Sequence, residues 1–398
     1  MTPTVRLAAA GFAATALTFG PARMGFGLFL PAFREEFALS TSMAGLIASG
    51  GFLGFLLALP ASAWLGGRYG QRLPVVTGAL AATAGFVAVA AAGAPGLIAL
   101  GIALAGTSAG LCWAPFNDAA ERVVPDPARA GALSVVSTGT TFGVIAAAGL
   151  ALAVTAGTLD WRGAWAGFAF GGLALAGLAL AGLPPGRGPT AAHAAGAPGP
   201  SLAQRAAVPL YGAAFCFGIA NAVFLSFAAD RVVGAGGLPG LPDDAASAVI
   251  FLGYGICGVL GLATGRIEAW TGLAPLLCAV FASAALSLVL IALAPGSWSA
   301  VLAASGLHGA ALMMTSAVFS FWSLRLFPGR GTLGLTATLL SLAAGSVLGP
   351  ALAGLLAEAQ GPEVMFLAAA APPLATALWF GARLRRPWPR LPPAAGEQ

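Results

Sequence analysis

A single arginine, Arg23, stands near the middle of the first apolar run of the chain, Leu7 to Phe33, and no other charged residue interrupts that run. A guanidinium keeps its proton, and centring a charge in hydrocarbon costs at least ~2.5 to 3.5 kcal/mol on the most lenient scale. If the run is helical, the positions three, four and seven away share its face: Ala16, Phe19, Gly20, Phe26, Gly27 and Leu30. None is a carboxylate, so any partner must come from another element or from a solute. Two chemistries fit. Arg23 is either a structural charge, snorkelling or bonded to carbonyls of a neighbouring helix, or the anchor of an anion site in a water-filled cavity.

The remaining reactive residue types narrow the chemistry further. Gly106-Thr107-Ser108-Ala109-Gly110 fits the G-x-S-x-G pattern and, with His308, suggests an intramembrane serine hydrolase. That motif needs a strand-to-helix elbow to expose its serine, whereas here it falls inside an apolar helical run. All eighteen basic residues are Arg, which excludes a Walker A lysine and a Schiff-base lysine. Uphill transport by this chain would therefore draw on a gradient. No H-E-x-x-H occurs, Asp243 and Asp244 fall in a loop, and Cys112, Cys216, Cys257 and Cys278 sit in apolar runs without C-x-x-C spacing, as small core residues. The expectation is no enzyme, no cofactor and no metal. The pI near 9.6 reflects loop arginines and gives no reason to invoke nucleic acid.

The elements that must position Arg23 follow from composition. The 398 residues are 59% hydrophobic and 8% charged, with a mean hydropathy of +0.91, which describes a polytopic membrane protein. Long Ala/Leu/Gly runs without ten-residue alternation indicate helices rather than a barrel. After the first span, Leu7 to Phe33, the predicted spans run from about Ser42 to Leu65, Pro74 to Gly93, Leu97 to Asn117, Gly131 to Ala156 and Gly163 to Leu183. A second set follows: Ala206 to Phe227, Ala245 to Thr264, Leu273 to Leu293, Trp298 to Phe321, Leu333 to Leu356 and Met365 to Leu384. Asp118 to Ala130, DAAERVVPDPARA, is read as a polar loop. Residues 184–204, PPGRGPTAAHAAGAPGPSLAQ with His193, read as a linker. The chain thus divides into a six-helix bundle over 1–183, a cytoplasmic linker, and a second bundle with a short tail over 205–398. If the N-terminus is cytoplasmic, fourteen arginines lie inside against Arg34, Arg162 and Arg231 outside, so both termini are expected in the cytoplasm. The halves also repeat: span 2 ends Gly67-Arg68, and span 8 ends Gly265-Arg266.

Ala63 to Arg72, AWLGGRYGQR, resembles the signature between helices 2 and 3 of the major facilitator superfamily (MFS) through Leu65, Arg68, Gly70 and Arg72. The usual acidic residue falls on Gly67 and the leading glycine on Ala63. Gly345 to Gly354, GSVLGPALAG, is similar to the G-x-x-x-G-P-x-x-G-G run that antiporters of the family carry in helix 5, with Ala353 replacing one glycine. Helix 5 here has Gly139 and Gly143, then Val144 at the proline position; both runs are read as spacing for close packing of helices, or as an exchange signature. Gly20-x-x-Arg23 ahead of Pro31 looks like the first helix of small bacterial 12-helix permeases. The basic residue that the family often has in helix 4 would fall near Ile102. The resemblance implies an all-α membrane protein, with 12 transmembrane helices in two pseudo-symmetric six-helix bundles rocking about a midplane site.

In that family helices 1, 4, 7 and 10 line the cavity, and here they carry Arg23, Trp113, Asn221 and His308. Arg23 and His308 each fall ten residues from the predicted outer end of their helix, at one level. His308 is the deep side chain able to exchange a proton near neutral pH, or a satisfied core residue. Asn221 bonds a solute or a neighbouring helix; Trp113 and Tyr254 join the candidate set, although packing explains both. Ser134, Ser137, Thr138 and Thr141 form a hydroxyl stripe, and Phe12, Phe19, Phe26 and Phe33 recur every seven residues as a packing seam or a lining for apolar solutes. Arg68, Gly70 and Arg72 would form the gating loop. The expected function is secondary transport of a small anionic or polar solute across the inner membrane, with proton coupling through His308, by a monomer whose partners are its solute and the bilayer. The alternatives are an exporter of apolar, drug-like compounds, a non-transporting membrane sensor, and the hydrolase.

Overall fold

The computed structural model describes residues 2–186, 201–242, 245–328 and 331–383. His193, most of the linker, Asp243, Asp244 and the tail lie outside these residues. The described chain is helical throughout, with twelve helices long and apolar enough to cross a membrane. They are span 1 (Pro3–Phe37), span 2 (Thr41–Tyr69), span 3 (Arg72–Ala90), span 4 (Pro95–Val123), span 5 (Gly131–Thr155) and span 6 (Trp161–Gly182). The second six are span 7 (Arg205–Gly234), span 8 (Ala245–Thr271), span 9 (Leu273–Leu293), span 10 (Trp298–Leu326), span 11 (Leu333–Gln360) and span 12 (Pro362–Ala382). Helices suit this setting because each closes its own backbone hydrogen bonds.

Three spans depart from the continuous helices expected; one of them, span 8, passes from the helix Ala245–Gly258 through a 3-10 segment at Val259–Ala263 into the helix Thr264–Thr271. Span 1 divides at Gly20, between helical segments Pro3–Phe19 and Pro21–Phe37. Pro21 has no N–H to donate, so it opens the second segment as a first-turn residue, and Gly20 still donates to the Ala16 carbonyl at 3.1 Å. Span 4 divides at Trp113, just before Pro115. A second correction concerns 118–130. It is not a loop: the helix continues to Val123 and the next begins at Asp126, leaving Val124 and Pro125 between them. The polar residues there extend helices beyond the apolar core, which composition alone does not separate from a turn. Several other spans also run farther than their apolar stretches, span 7 reaching Gly234 and span 10 Leu326.

Glycines set the crossings. A Cβ on Gly139 or Gly143 would fall on the backbone of Phe12 or Ala16 in span 1, and one on Gly345 or Gly349 would meet Phe215 or Ile219 in span 7. Both pairs are 206 residues apart (345 − 139 and 349 − 143), so the same helix crossing occurs in each half. The helix 11 run is thus a packing device, as small-xxx-small spacing implies. The halves meet where span 1 crosses span 7, span 2 crosses span 11 and span 5 crosses span 8. Gly27 lies on the backbone of Leu225 and Ser226, Gly45 on Pro350 and Gly354 on Thr41.

Polar groups fasten the halves at one end. Arg34 Nε pairs with Asp230 Oδ1 at 2.6 Å, while its Nη1 and Nη2 donate to the Leu39 carbonyl (2.8 Å) and Thr41 Oγ1 (3.0 Å). Glu358 in span 11 accepts from the Ser42 amide at 3.0 Å and its hydroxyl at 2.6 Å. Glu36, Trp161 and Arg162 brace the same end within the first half, Trp161 Nε1 donating to Glu36 Oε2 at 2.8 Å and the Arg162 guanidinium lying 4.2 Å from the Trp161 ring.

Candidate functional site

Arg23 lies in the first turn after the Gly20 break, at the junction of spans 1, 2, 4 and 7. Its guanidinium sits 5.6 Å from the Phe19 ring, 5.6 Å from Phe52 and 5.0 Å from Phe55. Nε and Nη2 are buried without a hydrogen-bond partner, and among the described residues no carboxylate pairs with it. Neither structural role considered for the charge is therefore filled: it does not reach the membrane surface, and no carbonyl holds it. Beside it is a cavity of about 20 Å³, room for about one water. Phe26, Phe52, Phe55, Ile102 and Leu225 supply much of its wall, and Ser226 of span 7 is its one other polar side chain.

Across the junction, the second half presents a stacked polar cluster. Asn221, 1% exposed, precedes Leu225 by one helical turn; its Oδ1 accepts from the Tyr254 hydroxyl at 3.4 Å, and its Nδ2 has no partner. Tyr254, also buried, lies within electrostatic reach of the Arg23 guanidinium. Phe224, Tyr254 and His308 form a triangle of rings: Phe224 stacks on the imidazole at 4.1 Å and 7°, and Tyr254 lies 6.1 Å from Phe224 and 6.2 Å from His308. His308 Nδ1 meets Ser287 Oγ at 2.6 Å. Because the Ser287 hydroxyl already donates to the Ala284 carbonyl, the economical assignment has Nδ1–H donating to Ser287 and a lone pair on Nε2, which has no partner. Asn221, Tyr254 and His308 thus form one cluster in the second half, behind the Leu225 and Ser226 wall of the cavity rather than in its lining.

Trp113 stands one ring away: it meets Phe19 edge-on at 5.9 Å, so the hinge of span 4 touches the cage through that ring. Arg68, Gly70 and Arg72 lie at the turn where span 2 ends and span 3 begins, at the opposite end from Arg34. Gly70 holds the turn at φ 94°, Arg72 Nε donates to the Leu183 carbonyl at 2.8 Å, and Arg68 stacks on Tyr69 at 5.7 Å. Ser137 and Thr138 donate to carbonyls of their own helix, as does Ser108 to Ala105, fully buried within the helix Pro95–Cys112. A hydrolase elbow is not formed there.

The sequence reading passed over Phe52 and Phe55. Three residues apart, they share a face of span 2, and the available signal was that a permanent charge in span 1 needs aromatic or polar company from a neighbour. Asp230 and Glu358 were missed as ties because both lie near the ends of apolar runs, where acidic residues pass for loop edges.

Twelve membrane-spanning helices in two related sets of six, meeting around a buried polar junction, define a membrane transporter of the two-bundle class. The Major Facilitator Superfamily profile matches residues 11–317, and the chain belongs to that family. Its fold is similar to that of a point mutant of the nucleoside transporter NupG, at 12% identity and a TM-score of 0.76 over 96% of this chain and 99% of that one. It is also similar to a bacterial homolog of the human lysosomal transporter Spinster in an inward-facing, occupied conformation (15% identity, TM-score 0.69, 95% and 96% covered). A third is the peptide transporter POT in complex with sulfate (14%, 0.75, 96% and 94%). No curated protein shows significant sequence similarity.

Proposed function

We propose that this protein is a secondary transporter that carries a small anionic or polar solute through the plasma membrane by alternating access, with Arg23 as the anchor of the solute and Asn221 and Tyr254 behind the cavity wall in the second half. The observation that carries the reading is the Arg23 guanidinium, with Nε and Nη2 buried and unpartnered and, among the described residues, no carboxylate to balance it. Intramembrane charges left unpaired in a fold are expensive, and ones that line a junction between moving bundles mark solute paths. The arginine bias favours cytoplasmic termini, with the Arg34 end outside. In this assignment the outer end is shut, and solute reaches Arg23 from the cytoplasmic side when the halves part. The loop at Arg68, Gly70 and Arg72 then sits at the cytoplasmic gate. Proton coupling falls to His308, whose free Nε2 is the available acceptor.

An exporter of apolar compounds is the less favoured reading: the helix 11 glycines are occupied by helix crossings, and Phe33 packs on Phe26 and Trp161, leaving Phe26 alone of that pair in the cavity wall. The test of the reading is uptake into proteoliposomes by the wild type and by Arg23→Gln. The expected result is loss of uptake with insertion and folding intact; unchanged uptake would remove Arg23 from the mechanism.

A further inference from the structure

We infer that the solute is a monovalent organic anion with an apolar body, such as a monocarboxylate. This rests on the proposal that Arg23 anchors the solute, and deepens it. Three observations converge. The first is charge: the wall beside Arg23 holds one permanent positive charge and no carboxylate among the described residues. In a site this confined, with room for about one water, the complex is most stable when it is neutral, so the solute brings one negative charge. A neutral solute leaves the guanidinium uncompensated, and a dianion leaves a negative charge with no second cation. A zwitterion adds an ammonium beside Arg23, where like charges repel and the wall supplies no counter-charge.

The second observation is hydrogen-bond polarity. The buried unpartnered atoms of Arg23, Nε and Nη2, are both donors. Such a set wants an acceptor with two or more lone-pair directions, which a carboxylate has. The third is the rest of the wall. Phe26, Phe52, Phe55, Ile102 and Leu225 have no hydrogen bonds to offer, so the remainder of the solute is apolar. At about 20 Å³ the cavity is smaller than any such solute, but Leu225 and Ser226 belong to the second half while the other lining residues belong to the first. The site therefore widens when span 7 withdraws from spans 1, 2 and 4.

The test uses the full chain in detergent and in proteoliposomes with two matched sets of probes. One is phenylacetate, phenylacetamide, phenylalanine and phenylmalonate; the other is hexanoate, hexanamide, 6-aminohexanoate and adipate. The inference expects at least one of phenylacetate and hexanoate to raise the unfolding temperature, with an apparent affinity at least tenfold tighter than its neutral, zwitterionic and dianionic counterparts. That shift should vanish in Arg23→Met, which keeps the volume. Binding by a counterpart as tight as by the monoanion, or no binding by either monoanion, overturns it. Flux separates the two claims: Arg23-dependent binding of a monoanion without uptake defeats the transporter reading and leaves the solute class standing. Uptake of a solute of another charge class, lost in Arg23→Met, does the reverse.

Discussion

Replacing Arg23 by Met separates a functional charge from a structural one, because the two roles predict opposite effects on the empty protein. Methionine keeps the length and the apolar contact with Phe19, Phe52 and Phe55 while removing the charge. Two terms are lost together. The desolvation of a buried charge, at least ~2.5 to 3.5 kcal/mol, is relieved. Three cation–π contacts at 5.0 to 5.6 Å, toward the far limit of that interaction and about 0.5 to 1 kcal/mol each, disappear. The difference runs from about −0.5 to +2 kcal/mol in favour of the variant. A structural arginine in a hydrogen-bonded buried pair would instead cost about 3 to 5 kcal/mol on removal.

The bound state responds differently. With solute in place, losing the cation strands a buried carboxylate, a cost of about 3 to 5 kcal/mol. At about 1.4 kcal/mol per tenfold change, that weakens binding by roughly two to three and a half orders of magnitude. The assay is thermal unfolding followed by tryptophan fluorescence, with and without the solute identified by the probe series, alongside equilibrium binding. The expected pair of results is an empty variant at least as stable as wild type, within error, and an absent solute response. A variant destabilised by several kcal/mol that binds within tenfold of wild type would refute the reasoning at its root, since Arg23 would then be holding the fold.

Four further outcomes are expected. Asp230→Asn removes the Arg34 ion pair, whose side chains are about a quarter exposed (24% and 21%); a loss of about 1 kcal/mol shifts the ratio of shut to open forms about fivefold. Labelling of a cysteine placed at Phe227 by an impermeant maleimide, above the background of the native thiols, should accelerate accordingly, and an unaltered rate denies the latch. Gly143→Leu drives a side chain into the Ala16 backbone and should cost at least ~1 to 3 kcal/mol, seen as lost monodisperse protein, whereas Gly149→Leu, which meets open space, should purify normally. His308→Gln should flatten the pH dependence of uptake if the imidazole carries the proton; the titratable side chain stacked nearest, Tyr254, is kept as a Tyr254→Phe control. Ser108→Ala, trimming a hydroxyl bonded only to its own helix, should leave uptake unchanged, and a loss of activity would reopen the hydrolase reading.

The fold was legible because hydrocarbon imposes so few solutions. Any chain with twelve apolar stretches must make helices, and a recurring Gly-Arg turn exposes the repeat. Arg23 was legible for the same reason: a charge in such a stretch has no neutral explanation. What was not legible depends on geometry between spans. Nothing in the order of residues places Phe52 and Phe55 of span 2 over a guanidinium in span 1, and the break at Gly20 that brings it there reads as an ordinary Gly-Pro pair inside a long helix. The polar stretch 118–130 failed in the other direction, because helices that continue past the bilayer take on the composition of loops. Asn221 and Tyr254 were each separately plausible as packing; their pairing arises only when spans 7 and 8 are side by side.

The division of the site between the halves gives the charge a mechanical meaning. The first half supplies the cation and the apolar cage, with Phe19, Phe52 and Phe55 covering the guanidinium on its own side. The second half supplies Leu225 and Ser226, the span 7 wall that closes over it. A charge is tolerable under either of two conditions, when water reaches it or when an anion neutralises it. Parting of the halves meets the first, and a bound solute meets the second. The conformation with neither, shut and empty, is the one that bears the full desolvation, so the step that returns the empty protein through closure is the slow one on this reasoning. Exchange of one anion for another across the membrane should then outpace net flux, and a counterflow experiment in proteoliposomes, preloaded against empty, measures the ratio. Equal rates would mean that the three rings alone compensate the charge and that the solute contributes nothing to closure.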